Sequence, residues 1–214
     1  MPHDVEFGAG VASSTTTSGG VGSVAVVAEG AHCSVFDVRA APSSACVARI
    51  ACTGAQFAVA HDALNGALLV GGADRVVAVV DVRRVRATRG ARHRCAAHAF
   101  AAERNFRCAQ MSVRSKWNAP TKLDITSIRA LGVEDFCLVA GADGEVACGR
   151  CQHGGDDGAP TLQSDAALLG LAYASDVNVL VALSERSTLY AAHRVVQSVD
   201  GAAPQQTHKR GRKF

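Results

Sequence analysis

Two thiols and an imidazole stand close together in Cys148-x-x-Cys151-x-His153. Thiolate and imidazole are ordinary zinc ligands, and a Cys-x-x-Cys pair is a usual way for one segment to supply two of them. A second group, His93, Cys95 and His98, lies about fifty residues earlier. One reading is therefore a zinc- or thiol-dependent enzyme, or a zinc-binding module, using Cys148, Cys151 and His153. Against it, the chain has no second Cys-x-x-Cys. Cys148 and Cys151 are also expected on one strand, where residues three apart face opposite sides. The main reading assigns no metal ligand and no cofactor. It takes the eight cysteines as small buried hydrophobes, kept reduced in an intracellular chain.

Nucleophilic chemistry is read out in the same way. Ala31-His32-Cys33 resembles the stretch around the catalytic histidine of trypsin-like proteases. Such an enzyme also needs a serine in a Gly-Asp-Ser-Gly-Gly setting to form its acyl intermediate. The nearest stretch here, Gly154-Gly155-Asp156-Asp157-Gly158, has no serine. Gly71-Gly72 is no phosphate loop, because no Gly-Lys-Ser/Thr follows. Asp37, Asp74, Asp81 and Asp143 recur at corresponding places along the chain, which suits turns and strand ends. The chain is read as a non-enzyme, with no catalytic residue and no small-molecule substrate.

Charge is the remaining chemical signal. The net charge is only +3, but its placement is uneven. Between Arg83 and Lys116 there are nine arginines and one lysine, and Glu103 is the only acid. Arg83, Arg84, Arg86, Arg89, Arg92 and Arg94 are the candidate phosphate-contact residues there. Phe100, Phe106 and Trp117 could add stacking. The chain has 18 arginines against 4 lysines, so arginine count alone could reflect genome composition. The C-terminal run is different, since Lys209 and Lys213 supply half of all the lysines. With Arg210 and Arg212 they make a compact basic tail that suits a nuclear or nucleolar address, or contact with RNA phosphate.

The elements that must carry these residues are short apolar runs. Ala67–Arg83 reads ALLVGGADRVVAVVDVR, two Val/Leu runs around a Gly/Asp turn, which predicts a β-hairpin. Related hairpins follow from Val24–Val38, Val139–Cys151 and Val179–Val195. Turn to turn, the steps are about 44, 69 and 43 residues. Phe57–His61, Ile125–Leu131 and Leu168–Ala174 precede three of the hairpins as further strands, and Cys46–Cys52 follows the first. A period in the low forties with paired central strands is the pattern of four-stranded propeller blades.

Phe36-Asp37-Val38 and Val80-Asp81-Val82 sit where WD40 repeats place Trp-Asp. The chain thus resembles the WD40 family over most of Ser23–Asp200, with Asp37 and Asp81 as the equivalent structural aspartates. Ile125-Thr126-Ser127-Ile128 and Leu138-Val139-Ala140-Gly141-Ala142-Asp143 further resemble late blades of the p21-activated-kinase-interacting WD40 proteins, nucleolar assembly factors of the large ribosomal subunit. The resemblance implies an all-β fold of three to four WD40-like propeller blades, forming an incomplete or open propeller. It also implies a non-catalytic scaffold for protein–protein or ribonucleoprotein assembly in ribosome biogenesis. Its partners would be other proteins of a multi-subunit assembly and ribosomal RNA.

Three regions follow: a flexible Ser/Thr/Gly-rich leader over 1–22, blades over 23–200 with a basic insertion at about 83–121, and the basic tail over 201–214. The leader lacks the pattern of a secretory signal. No apolar run reaches the ~20 residues of a membrane span. The expected location is intracellular, in the nucleus or nucleolus.

Overall fold

A computed structural model of the chain describes residues 4–8, 24–41, 45–87, 109–132, 136–151 and 161–193. Every regular element among them is a β-strand. In chain order these are β1 (Asp4–Gly8), β2 (Val24–Asp37), β3 (Cys46–Asp62), β4 (Ala67–Gly72), β5 (Val76–Ala87), β6 (Ala109–Asn118) and β7 (Ile125–Ala130). Then follow β8 (Phe136–Gly141), β9 (Glu145–Arg150), β10 (Leu162–Gln163), β11 (Leu168–Ala174), β12 (Val179–Ser184) and β13 (Leu189–His193). All pairings are antiparallel. The all-β class is therefore as expected. β1 lies inside the stretch read as a leader and pairs Asp4–Gly8 with Ala28–Val24.

The hairpins form where β-branched runs flank turn residues. In the β4–β5 turn the Asp74 carboxylate accepts the Val76 N–H at 3.3 Å, and Arg75 takes the left-handed conformation at φ 57°. In the β8–β9 turn Asp143 accepts the Glu145 N–H at 3.1 Å and the Lys122 N–H at 2.6 Å. Gly144 completes that turn at φ +79°, and an added Cβ would lie 2.7 Å from the Ser164 carbonyl. In the β3–β4 turn Asp62 accepts from the Leu64 and Asn65 N–H groups. These short side chains replace backbone partners that a tight turn leaves unmade. Two of the recurring aspartates, Asp74 and Asp143, are thereby engaged in backbone geometry.

The WD40-like propeller does not form. The strands make three open antiparallel sheets: six strands in the order β1-β2-β3-β4-β5-β6, four as β10-β9-β8-β7, and three as β11-β12-β13. Among the described residues the sheets stay open and flat, without the curvature or closure of propeller blades. The repeat boundary fails at Thr53-Gly54-Ala55. A propeller needs a break there, but β3 runs without interruption through 17 residues. Its first part pairs with β2 and its second with β4, fusing two expected units into one sheet. The assembly role inferred from the propeller loses its basis with the architecture.

Apolar side chains are buried in three clusters. Val26, Val35 and Ile50 meet Val59, Leu68 and Val70 in the first. The second lies between the first two sheets, with Leu69, Val79 and Trp117 against Ile125, Ile128 and Val139. The third lies between the second and third sheets, with Leu131, Leu138 and Val146 against Leu168, Leu171 and Leu180. Each such side chain contributes about 1.5–3 kcal/mol when removed from water. Trp117 is 3% exposed within the second core. It holds the sheets together and is not placed for stacking on a ligand.

Candidate functional site

The basic segment begins on a ribbon whose base is fixed by charge. β4 pairs with β5 only as far as Ala67 opposite Asp81. Beyond that point β5 pairs with β6 alone, through Val85–Met111, Arg86–Gln110 and Ala87–Ala109. A two-stranded ribbon thus continues past the β3–β4 turn. Its register is irregular between Val80 and Val85, where Val80 faces Val113 and Val85 faces Met111. Extra residues on one strand make a bulge, which bends that strand and re-aims what it carries. Arg83 and Arg84 occupy this bulge and Arg86 follows it in the pair.

At the base, the Arg114 Nε and Nη2 atoms each lie 3.0 Å from Asp81 Oδ2. The Asp81 side chain is only 2% exposed, whereas that of Arg114 is 35% exposed. Arg114 also reaches the Asn65 carbonyl at 3.5 Å. A buried carboxylate is costly without a partner, so Arg114 has a structural task and is not counted among phosphate contacts. Lys116, two residues on along β6, is exposed. Asp37 differs from Asp81: it ends β2, keeps partial exposure, and binds Arg39 through Nε at 3.3 Å. The Arg39 side-chain and backbone hydrogen bonds hold its carboxyl below the usual range.

Of the proposed contact residues, Arg83, Arg84 and Arg86 lie on β5. Arg89, Arg92 and Arg94 lie outside the described residues, as do His93, Cys95, His98 and the tail with Lys209, Arg210, Arg212 and Lys213. The larger part of the 1–22 stretch read as a leader is outside them too.

The zinc or thiol site on Cys148, Cys151 and His153 is not assembled. Cys151 follows β9, is buried among the second core cluster, and is disulfide-bonded to Cys137, with Cα atoms 6.4 Å apart. The bond departs from the expectation of reduced thiols throughout. It is possible because β8 and β9 are neighbours, with Cys137 opposite Gly149. Cys148 packs against the third cluster, on the other side of the second sheet. Burial pushes its thiol up to about 11, the reverse of what a ligand or nucleophile requires. Burial, and then the Asp74 charge, raise Cys52 to about 11 as well. His153 lies outside the described residues. Among those residues no three of His, Cys, Asp and Glu are grouped to hold a metal ion.

Sequence reasoning missed the Arg114–Asp81 pair, because residues 33 apart have no local spacing signal. Compared with known protein families and with curated proteins, the chain matches no family description and no curated protein.

Proposed function

We propose that this chain is a non-catalytic polyanion-binding module that engages the phosphate backbone of RNA through the basic β5–β6 ribbon. The observation that carries this is the continuation of β5 and β6 past the sheet edge, with Arg83, Arg84 and Arg86 on the projecting strand. Guanidinium groups suit phosphate because their planar donors match its oxygens. The Asp81–Arg114 pair supports the reading by anchoring the ribbon's base, so that its direction is set before a ligand arrives. The sequence beyond the ribbon stays basic through Arg89, Arg92 and Arg94, and the tail adds Lys209, Arg210, Arg212 and Lys213. Such contacts position a backbone and carry little base sequence information. The tail also suits import into the nucleus, where RNA is abundant.

The test is fluorescence anisotropy with a labelled single-stranded RNA of mixed sequence, titrated at several salt concentrations. Replacing Arg83, Arg84 and Arg86 together by Ser should weaken binding at least about 10-fold at low salt, and lower the salt slope by about 2 for three lost phosphate contacts. Equal affinity and equal slope for the two proteins would remove the ribbon from the binding surface.

A further inference from the structure

Among the described residues, the third sheet is covered on one face only. β4 reads ALLVGG and β8 reads FCLVAG, and both are buried nearly throughout, because each central strand has packing on both sides. β12 reads VLVALS, the same kind of sequence, yet full burial reaches only its alternate residues Leu180, Ala182 and Ser184. An antiparallel sheet with one wet face ordinarily alternates apolar and polar residues. Here the outward row at the centre is Val181, flanked in register by Ala172 and Ala191. Beside it Leu183 and Leu189 face each other at 41% and 42% exposure. The strand is written for cover on both faces.

We propose that a second copy of this chain covers that face, related by a twofold axis running along β12. At two places within the molecule, the partner of an apolar sheet face is another aliphatic antiparallel sheet. The outer face of the third sheet is itself such a surface, with no charged residue in its central row, so it complements its own copy. The rim fixes the axis. Asp176, in the β11–β12 turn, and His193, ending β13 opposite Val179, lie at the same end of the sheet on opposite sides. A twofold along β12 sets β11 of each copy over β13 of the other. Asp176 of each copy then meets His193 of its mate, an acceptor facing a donor at both edges. The face spans three strands and three outward rows, roughly 14 by 20 Å, or about 300 Å². That is well under the ~800 Å² per partner of a standard interface, so the dimer is weak and reversible.

Sedimentation equilibrium of the full chain, from about 1 µM to about 500 µM, tests this in the range that so small an interface can reach. The average mass should climb from 22.0 kDa toward twice that value. Val181→Lys should stay monomeric at every concentration while keeping the wild-type circular dichroism. Asp176→Lys and His193→Asp should each weaken association, and the two together should restore it. A wild-type monomer at all concentrations, with the face protected by the chain's own remaining residues in hydrogen exchange, would overturn the proposal. So would dimers formed equally by Val181→Lys, or a double charge exchange that fails to restore association. Replacement of Arg83, Arg84 and Arg86 should leave the dimer unchanged, so this inference and the RNA reading fail separately.

Discussion

At the scale of single residues, the decisive feature is that the turn and strand-end aspartates already have structural partners. Asp62, Asp74 and Asp143 accept turn N–H groups, and Asp81 holds Arg114. Arg114→Met should therefore destabilise the fold by roughly 1–3 kcal/mol, below the usual value for breaking a buried pair because the guanidinium is partly exposed. Urea unfolding would measure it, and a shift under a few tenths of a kcal/mol would show the pair to be idle. The thiols give a pH prediction. Burial pushes Cys52 and Cys148 up to about 11 in the folded chain, from the ordinary thiol value of 9.0. The folded state thus holds these protons more tightly than the unfolded state does. Their contribution is complete below pH 9 and is lost as pH rises toward 11, so stability should fall over that window. At pH 8 their alkylation in native protein should run on the order of 100-fold slower than in urea, because the thiolate fraction drops tenfold per unit. Peptide mass spectrometry would read both rates.

At the scale of elements, close approach of strands sets the limits. Gly72 ends β4 beside the irregular register of β3, and an added Cβ would overlap the Ala55 carbonyl oxygen. Neither backbone can give way without breaking the pairing, so Gly72→Ala should cost upwards of about 2 kcal/mol. A thermal midpoint unchanged from wild type would contradict that geometry. The Cys137–Cys151 bond closes a segment of 14 residues. Cross-linking a loop of that size limits the unfolded chain and is worth about 3 kcal/mol. Urea unfolding with and without a phosphine reductant should show a difference of that order. The hairpins were legible in the sequence because Val, Leu and Ala runs meet Gly/Asp turns, a local signal. That β3 joins two units was not legible, since nothing at Thr53-Gly54-Ala55 marks whether a strand stops or continues. β6 lies within the stretch expected as a basic insertion, and its residues, AQMSVRSKWN, carry no local strand signal; the β5 ladder and the burial of Trp117 determine it. Of the candidate site, the basic character was legible from composition, and the ribbon that presents it was not. A repeat period reports which strands can pair nearby; whether the sheets close into a ring depends on edges far apart in the chain.

At the scale of the whole molecule, the ribbon and the outer face of the third sheet lie on different sheets of one stack. The first sheet carries the ribbon, the second is sandwiched, and the third offers the apolar face. A dimer through the third sheets would set the two first sheets five layer spacings apart, roughly 50 Å at about 10 Å per layer. Each ribbon then binds the same RNA only if the strand can span that distance. An RNA of about 10 nucleotides extends some 34 Å and reaches one ribbon, whereas one of about 30 nucleotides extends about 100 Å and reaches both. Once one ribbon has bound, the second encounter is intramolecular, and affinity rises without any new contact. Above the dimerisation midpoint, the longer RNA should therefore bind at least about 10-fold more tightly than the shorter, beyond the gain expected from its extra sites. Below the midpoint the excess should vanish. Val181→Lys should abolish it at all concentrations while leaving the short RNA's affinity intact. Anisotropy titrations with both RNAs, at protein concentrations on either side of the midpoint, would measure this. A length advantage that survives Val181→Lys would mean that the two ribbons do not act together.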